Sequence, residues 1–196
     1  MTMPQPVIEI DVPAQSLILK DAQGRILMQT RVSTARNGVG EENGSEKTPR
    51  GAHYIRARIG AGLPADAVLV SRRPTGEIYS PPLRAAFPNR DWILTRILWL
   101  CGLEPGNNRL GKVDTMRRYI YIHGCPDEDP MGVPGSRGCI KMRNRDIIEL
   151  FDRVAPGTRL HIRRRSCRSD PSCWMWKDWR YAPSNASVSP TRWSAA

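Results

Sequence analysis

Apolar and polar residues alternate in three successive runs near the start of the chain: Ile8, Ile10 and Val12; Leu17 and Leu19; then Ile26, Met28, Thr30 and Val32. A period of two sends every second side chain to the same face, so each run predicts a half-buried strand. Asp21-Ala22-Gln23-Gly24 lies between the last two runs and predicts a hairpin turn. Residues 36–47, rich in Gly, Asn and Glu, read as a surface loop. The turn Thr48-Pro49-Arg50-Gly51 then opens a strand over residues 53–59, and short strands are expected at 68–71 and 77–79 around a turn at Pro74-Thr75-Gly76. Alternation returns in Tyr119-Ile120-Tyr121-Ile122-His123, where Gly124 breaks it. A last strand spans residues 158–163, with Leu160 and Ile162 turned inward and His161 on the exposed side.

Two stretches read as helices. Residues 91–101 follow the capping residue Asn89, close on Gly102 and are apolar on more than one face, which predicts a mostly buried helix with Cys101 in the core. Residues 144–154 have Asn144 as N-cap, Asp146 in the first turn, and Ile147, Ile148, Phe151 and Val154 on one face. Pro156-Gly157 ends that helix. The balance is mainly β.

At 196 residues and 40% hydrophobic, the chain holds one domain with a real core and no comfortable second one. The expected division is a domain over residues 1–163 and an extension over 164–196. The extension has a basic run from Arg163 to Arg168, then Trp174, Trp176, Trp179 and Trp193 in a Ser/Pro/Ala-rich end. It reads as a partly ordered wrap; the alternative is an interfacial anchor in which cations meet lipid phosphate and indoles the headgroup layer.

A formal charge of +11 implies anionic company without choosing it. No nucleic-acid-binding signature accompanies the charge, so specific nucleic-acid binding is set aside. Cys101, Cys125, Cys139, Cys167 and Cys173 are odd in number and scattered, unlike a disulfide framework. Cys167 and Cys173 lack the further ligands a zinc site needs, so no metal is expected. The first twelve residues carry two prolines and two acids where a secretory leader would be apolar. No window reaches the roughly 18 apolar residues of a membrane span. As written, the sequence is expected in the cytoplasm, or in the periplasm if the start is misassigned.

The chemistry concentrates in Ser136-Arg137-Gly138-Cys139-Ile140-Lys141-Met142, with His123-Gly124 sixteen positions before the cysteine. A cysteine becomes a useful nucleophile when a base takes its proton and fixed donors await the developing oxyanion. Gly138 allows the sharp turn and close approach that this requires, and amides around Gly138 and Cys139 can face a carbonyl oxygen. Cys125, beside His123-Gly124, reads as a structural thiol.

Ile-His-Gly, Gly132-Val133-Pro134, and Ser-x-Gly-Cys-Ile-x-Met-x-Asn-x-Asp over residues 136–146 together resemble the active-site segment of the L,D-transpeptidase family of bacterial cell-wall enzymes. Thr48-Pro49-Arg50-Gly51 is similar to that family's Thr-Pro-x-Gly element, and residues 157–162 to its closing strand, so the resemblance covers roughly residues 7–163. It implies a β-sandwich with about two packed helices and a cleft at one end. By the same resemblance Cys139 is the nucleophile, His123 the base and later acid, and the Gly124 carbonyl the orienter of the imidazole. The substrate is a peptidoglycan stem peptide or muropeptide, cleaved before its terminal D-alanine through an acyl-enzyme, with no cofactor.

Tyr121, Ser136, Arg137 and Lys141 are the expected substrate-side residues. Many relatives have histidine where Arg137 stands, and arginine where Lys141 stands. Guanidinium does not deprotonate in proteins, so Arg137 is expected to favour the thiolate and hold a substrate carboxylate. Lys141 makes a weaker fork than arginine. Ser136 orients the site or shapes the loop. Asp127-Glu128-Asp129 is solvated surface or meets a substrate amine. Water as acceptor gives a carboxypeptidase that recycles wall fragments, which suits the cytoplasmic expectation; an amine acceptor gives an exported transpeptidase. A catalytically silent binder of wall fragments is the reading from another class, and an intact nucleophile and base argue against it.

Overall fold

The computed structural model describes residues 5–164. The extension expected beyond that point, with Cys167, Cys173 and its tryptophans, lies outside the described residues. Among the described residues ten strands form: β1 (Val7–Asp11), β2 (Ser16–Lys20), β3 (Ile26–Arg31), β4 (Gly51–Ile59), β5 (Ala67–Val70), β6 (Arg73–Ile78), β7 (Ile93–Gly102), β8 (Tyr121–Cys125), β9 (Ile140–Arg143) and β10 (Arg159–Arg163). Two α-helices accompany them among the described residues, α1 (Pro81–Ala86) and α2 (Asn144–Arg153). The fold is mainly β, as the alternation implies.

The strands make one sheet in the order β3-β2-β1-β10-β4-β7-β5-β6, with β8 on the free side of β7 and β9 beyond β8. β7 organises it. Its second half pairs with β4 and its first two residues with β5, while β8 runs along the opposite edge from Leu94↔Gly124 to Trp99↔Tyr121. The sheet curls until the chain leaving β3 meets β9: Ser33 N–H donates to Lys141 O at 3.0 Å and Lys141 N–H to Ser33 O at 2.9 Å.

The curl encloses one principal core. Ile8, Ile10, Leu17 and Leu19 reach it from one arm, Ile122, Ile140 and Met142 from the other, and Ile147, Leu150 and Phe151 of α2 complete it. Burying each such side chain is worth roughly 1.5–3 kcal/mol relative to exposure. Two arms facing across a shared core match the sandwich expectation. A smaller apolar cluster of Leu69, Ile97 and Tyr121, with Ile93 and Cys139 packed against it, gathers other side chains of β7 and β8.

Where a helix over residues 91–101 was expected, Ile93–Gly102 form a strand. β7 is covered on both faces and flanked on both edges, so it is apolar all round, and periodicity cannot separate such a strand from a buried helix. Ile93, Thr95 and Ile97 are β-branched, which favours the extended form. The second helix is instead α1, opened by Ser80 Oγ accepting from Leu83 N–H. The β5–β6 turn lies at Ser71-Arg72, both at positive φ, and Pro74 sits within β6 on the sheet edge, where its missing N–H costs nothing.

α2 begins at its expected cap, so that its N-cap lies one residue earlier. Arg143 holds the N-cap position, and Asn144 turns its amide inward. Asn144 Oδ1 accepts from Thr95 Oγ1 at 2.6 Å, while Nδ2 donates to Asp66 Oδ1 at 2.6 Å and to Cys125 O at 3.2 Å. A buried amide so fully bonded ties α2 to β7 and β8. Gly124 does not break β8 but sits inside it. A Cβ there would lie 2.3 Å from Asn144 Oδ1 and 2.8 Å from Leu94 O, so only glycine lets these elements close up.

Candidate active site

β8 and β9 run parallel, with His123 opposite Lys141 and Ile122 opposite Ile140. The pleat therefore sends Ile122, Ile140 and Met142 into the main core, and Tyr121, His123, Cys139 and Lys141 to the other face. Tyr121 N–H donates to Cys139 Sγ at 3.4 Å, and the thiol reaches Tyr119 O at 3.6 Å. His123 is buried, and its Nδ1 lies 2.7 Å from Gly124 O. A carbonyl only accepts, so Nδ1 carries the proton and Nε2 is left with its lone pair.

The loop before the cysteine is built from its own side chains. Ser136 is buried, donates through Oγ to Cys139 O at 2.5 Å, and accepts from Gly138 N–H at 3.2 Å. The Gly138 amide is thus spent inside the loop and does not face a substrate carbonyl, contrary to the sequence expectation. That leaves the Cys139 amide as the candidate donor. Gly138 has φ +119, a conformation side chains resist, and its carbonyl accepts from Thr48 Oγ1 at 3.0 Å. Thr48 of the Thr-Pro-x-Gly turn therefore fixes the cysteine loop from below.

Burial dominates the electrostatics. It pushes the Cys139 thiol up to about 12, against the lowering by the Tyr121 amide; Asp91 adds to the rise, and Lys141 and Arg118 oppose it. Although Cys139 keeps some solvent exposure, protein encloses the sulfur enough for desolvation to prevail. Burial also lowers His123 below the ordinary histidine value, countered by Asp91 and the Gly124 bond. In the free protein burial thus favours the neutral thiol and the neutral imidazole. Arg137 is exposed, and the cations that act most on the thiol are Lys141 and Arg118.

Lys141 is not free to fork a carboxylate. Its Nζ sits 2.9 Å from Asp129 Oδ2, and Arg84 Nη1 holds the other oxygen at 2.8 Å. The acidic loop is likewise engaged: Asp129 by these two cations, Glu128 by Tyr79 OH at 3.2 Å, Asp127 facing Arg143 at 3.8 Å. Tyr121 is buried and its OH accepts from Arg72 Nη1 at 2.9 Å. Arg72 also lies 4.6 Å over the Trp99 ring and 4.9 Å over Tyr119. Cys125, buried, points its thiol to Met142 O. Among the described residues no group of His, Cys, Asp and Glu has the makings of a metal site.

The profile of the L,D-transpeptidase catalytic domain, of the YkuD type, matches residues 5–162. The chain belongs to the L,D-transpeptidase family. Within that family it is 44% identical over 46 residues to the YkuD protein of Bacillus licheniformis, a match spanning 24% of this chain and 28% of that protein. The ErfK/SrfK protein of Salmonella typhimurium is 42% identical over 62 residues, spanning 30% of this chain and 20% of its own. The matched segments are thus under a third of these relatives' lengths. Among solved structures, Bdellovibrio bacteriovorus Bd1075 shares the fold with a TM-score of 0.52 and 18% identity, covering 82% of this chain and 48% of that one. L,D-transpeptidase 3 of Mycobacterium tuberculosis, solved with a faropenem-derived adduct, gives 0.51 at 13% identity, over 82% and 60%.

Against this family background, two residues at the site have no counterpart in the sequence expectation. Arg118 Nη1 donates to Gly40 O at 3.0 Å and Glu41 O at 2.9 Å, pinning the 36–47 loop, and its charge acts on Cys139. Arg72 was hidden because the turn that presents it was expected three residues later. The basic pair Arg117-Arg118 just before an alternating run was the one visible signal for Arg118.

Proposed function

We propose that this L,D-transpeptidase-family domain is a cysteine acyl-transfer enzyme acting on peptidoglycan tetrapeptide stems. The observation that carries the reading is the shared face of β8 and β9: it presents Cys139 and His123 together, with His123 Nδ1 on the Gly124 carbonyl so that Nε2 is the basic atom. Cys139 Sγ attacks the carbonyl before the terminal D-alanine as His123 Nε2 takes the thiol proton. The C–N bond breaks, the leaving amine receives that proton from His123, and an acyl-enzyme remains. Water, deprotonated by His123, then releases the tripeptide. Burial disfavours the charged form of both groups in the free protein, which supports proton transfer that accompanies attack instead of preceding it.

Water is the proposed acceptor. Cys101, Cys125 and Cys139 are free thiols, which suits a reducing compartment and a soluble wall fragment as substrate. Mass spectrometry of a tetrapeptide muropeptide incubated with the full chain tests this, with Cys139→Ala as control. Loss of one alanine, absent in the control, is the expected result. Crosslinked dimer or exchange of the terminal residue would replace water by an amine acceptor, and an unchanged muropeptide would overturn acyl transfer on this substrate.

A further inference from the structure

The cations around the site are mostly engaged by acids or carbonyls. Lys141 and Arg84 hold Asp129, Arg90 holds Glu77, Arg50 holds Glu41, and Arg118 donates to Gly40 O and Glu41 O. Arg72 differs. It is half-buried, its one hydrogen bond goes to Tyr121 OH at 2.9 Å, and no acidic side chain among the described residues pairs with it. Aromatic faces take the place of an acid: the guanidinium lies 4.6 Å over Trp99 and 4.9 Å over Tyr119, and those two rings stack at 6.2 Å. Ring faces attract a cation without neutralising it.

The residues that hold this guanidinium also hold the thiol. Tyr121 accepts from Arg72 through its OH and donates through its N–H to Cys139 Sγ at 3.4 Å. Tyr119 lies under Arg72 with its ring, and its carbonyl is the one the thiol reaches at 3.6 Å. Trp99, Tyr121 and Cys139 pack in one cluster. Arg72 is thus joined to Cys139 by direct contacts through single residues. The turn that presents it is strained. Val70 pairs with Arg73, so Ser71 and Arg72 form a two-residue turn at φ 49 and 68. Glycine would form such a turn with less strain, but glycine could not place a cation on the rings.

We propose that Arg72 is a specificity-determining residue that receives a carboxylate of the substrate. This rests on the acyl-transfer reading above and adds to it the place where the substrate's negative charge is held. A guanidinium with one Nη1 hydrogen on Tyr121 keeps its other N–H donors for an incoming acid, and the rings limit how its plane can turn. Two carboxylates of a stem tetrapeptide lie within one residue of the scissile carbonyl: that of the terminal D-alanine, and that on the side chain of a third residue such as diaminopimelic acid. Either would replace water at the open edge of the fork.

The test uses the full chain and three tetrapeptides ending in D-alanine. One has diaminopimelic acid at the third position, one has lysine there and so lacks the second carboxylate, and one has diaminopimelic acid with the terminal carboxylate amidated. Affinities are measured by calorimetry for Cys139→Ala and for Cys139→Ala with Arg72→Gln. A fall of about tenfold confined to the two diaminopimelic acid peptides supports the proposal and assigns the side-chain carboxylate. The same fall confined to the two peptides with a free terminus supports it and assigns the D-alanine carboxylate. Equal losses on all three, which a merely structural role would give, overturn it, as do no loss and no binding by any peptide. Arg72→Lys in the same background keeps the cation and loses the fork, so it serves if the glutamine variant does not fold. A fall of about threefold with either selectivity supports the proposal, and an unselective fall or none overturns it. Turnover by wild type is read separately. If it turns over none of the peptides, the acyl-transfer reading fails, and the affinities still decide whether Arg72 receives a carboxylate.

Discussion

At the residue scale, the site is defined by what burial does to two titratable groups. The motif around Cys139 and the Gly124 carbonyl beside His123 were legible in the sequence, because they are local: a strand ending in imidazole, and a glycine just before a thiol. The protonation state was not legible, since it depends on the protein packed around the sulfur. With the thiol pushed up to about 12, iodoacetamide should label Cys139 slowly at pH 7 and ever faster into the alkaline range, without a plateau. A plateau at or below neutrality would reveal a preformed thiolate–imidazolium pair and sink the neutral-pair account. His123 must be neutral to accept the thiol proton. Because its value is lowered below 6.5, turnover should hold as pH falls to 6.5 and decline only below it. Initial rates against pH give that limb directly. Replacing His123 by Ala should lower turnover by roughly 100- to 10,000-fold, the usual range for a general acid–base group.

At the element scale, the central lesson is β7. A strand buried on both faces has no polar side to report its period, so its sequence resembles a buried helix, and only its pairing with β4, β5 and β8 distinguishes the two. Misplacing that element also hides what it brings together: Ile93, Ile97 and Trp99 gather with Tyr121 and Cys139 through sheet register, which no local pattern encodes. The junction of β7, β8 and α2 is where close packing is tightest. Gly124→Ala would force a Cβ against Asn144 Oδ1 and Leu94 O, both closer than 3 Å. Overpacking of this kind costs about 1–3 kcal/mol, readable by urea unfolding. Removing the Asn144 side chain relieves one of the two clashes. Gly124→Ala combined with Asn144→Ala should therefore destabilise less than the sum of the single changes, by at least about 0.5 kcal/mol. Strict additivity would show that the two residues do not meet.

At the scale of the whole molecule, the mainly β class and the order of the early strands followed from alternation, whereas the curl did not, because closing β3's exit strand onto β9 joins residues more than a hundred positions apart. The folded sheet buries polar groups as well as apolar ones, and one of them gives the fold a built-in pH dependence. His53 on β4 is enclosed, with Nδ1 3.0 Å from Gly51 O and Nε2 3.1 Å from Thr115 Oγ1. Burial lowers it from 6.5 to about 4, although Gly51 and Glu104 pull the other way. Above pH 6.5 neither the folded nor the unfolded chain protonates this residue, so it has no effect. Below 6.5 the unfolded chain takes up a proton that the folded one refuses until about pH 4, and stability must fall across that window. The full loss is roughly 3 kcal/mol. His123 and His161, also lowered by burial, add to it with the same sign. The salt-bridged carboxylates Asp129 and Glu41, held below their ordinary values by Lys141 and Arg50, lose their contribution only in stronger acid, so the two effects separate on the pH axis. Urea unfolding at pH 7 and at pH 4.5 measures the difference. His53→Gln should be less stable than wild type at pH 7, because a polar amide replaces a fitted ring, yet lose less stability between the two pH values. An equal loss in both proteins would mean that His53 is protonated in the folded state as readily as in the unfolded one.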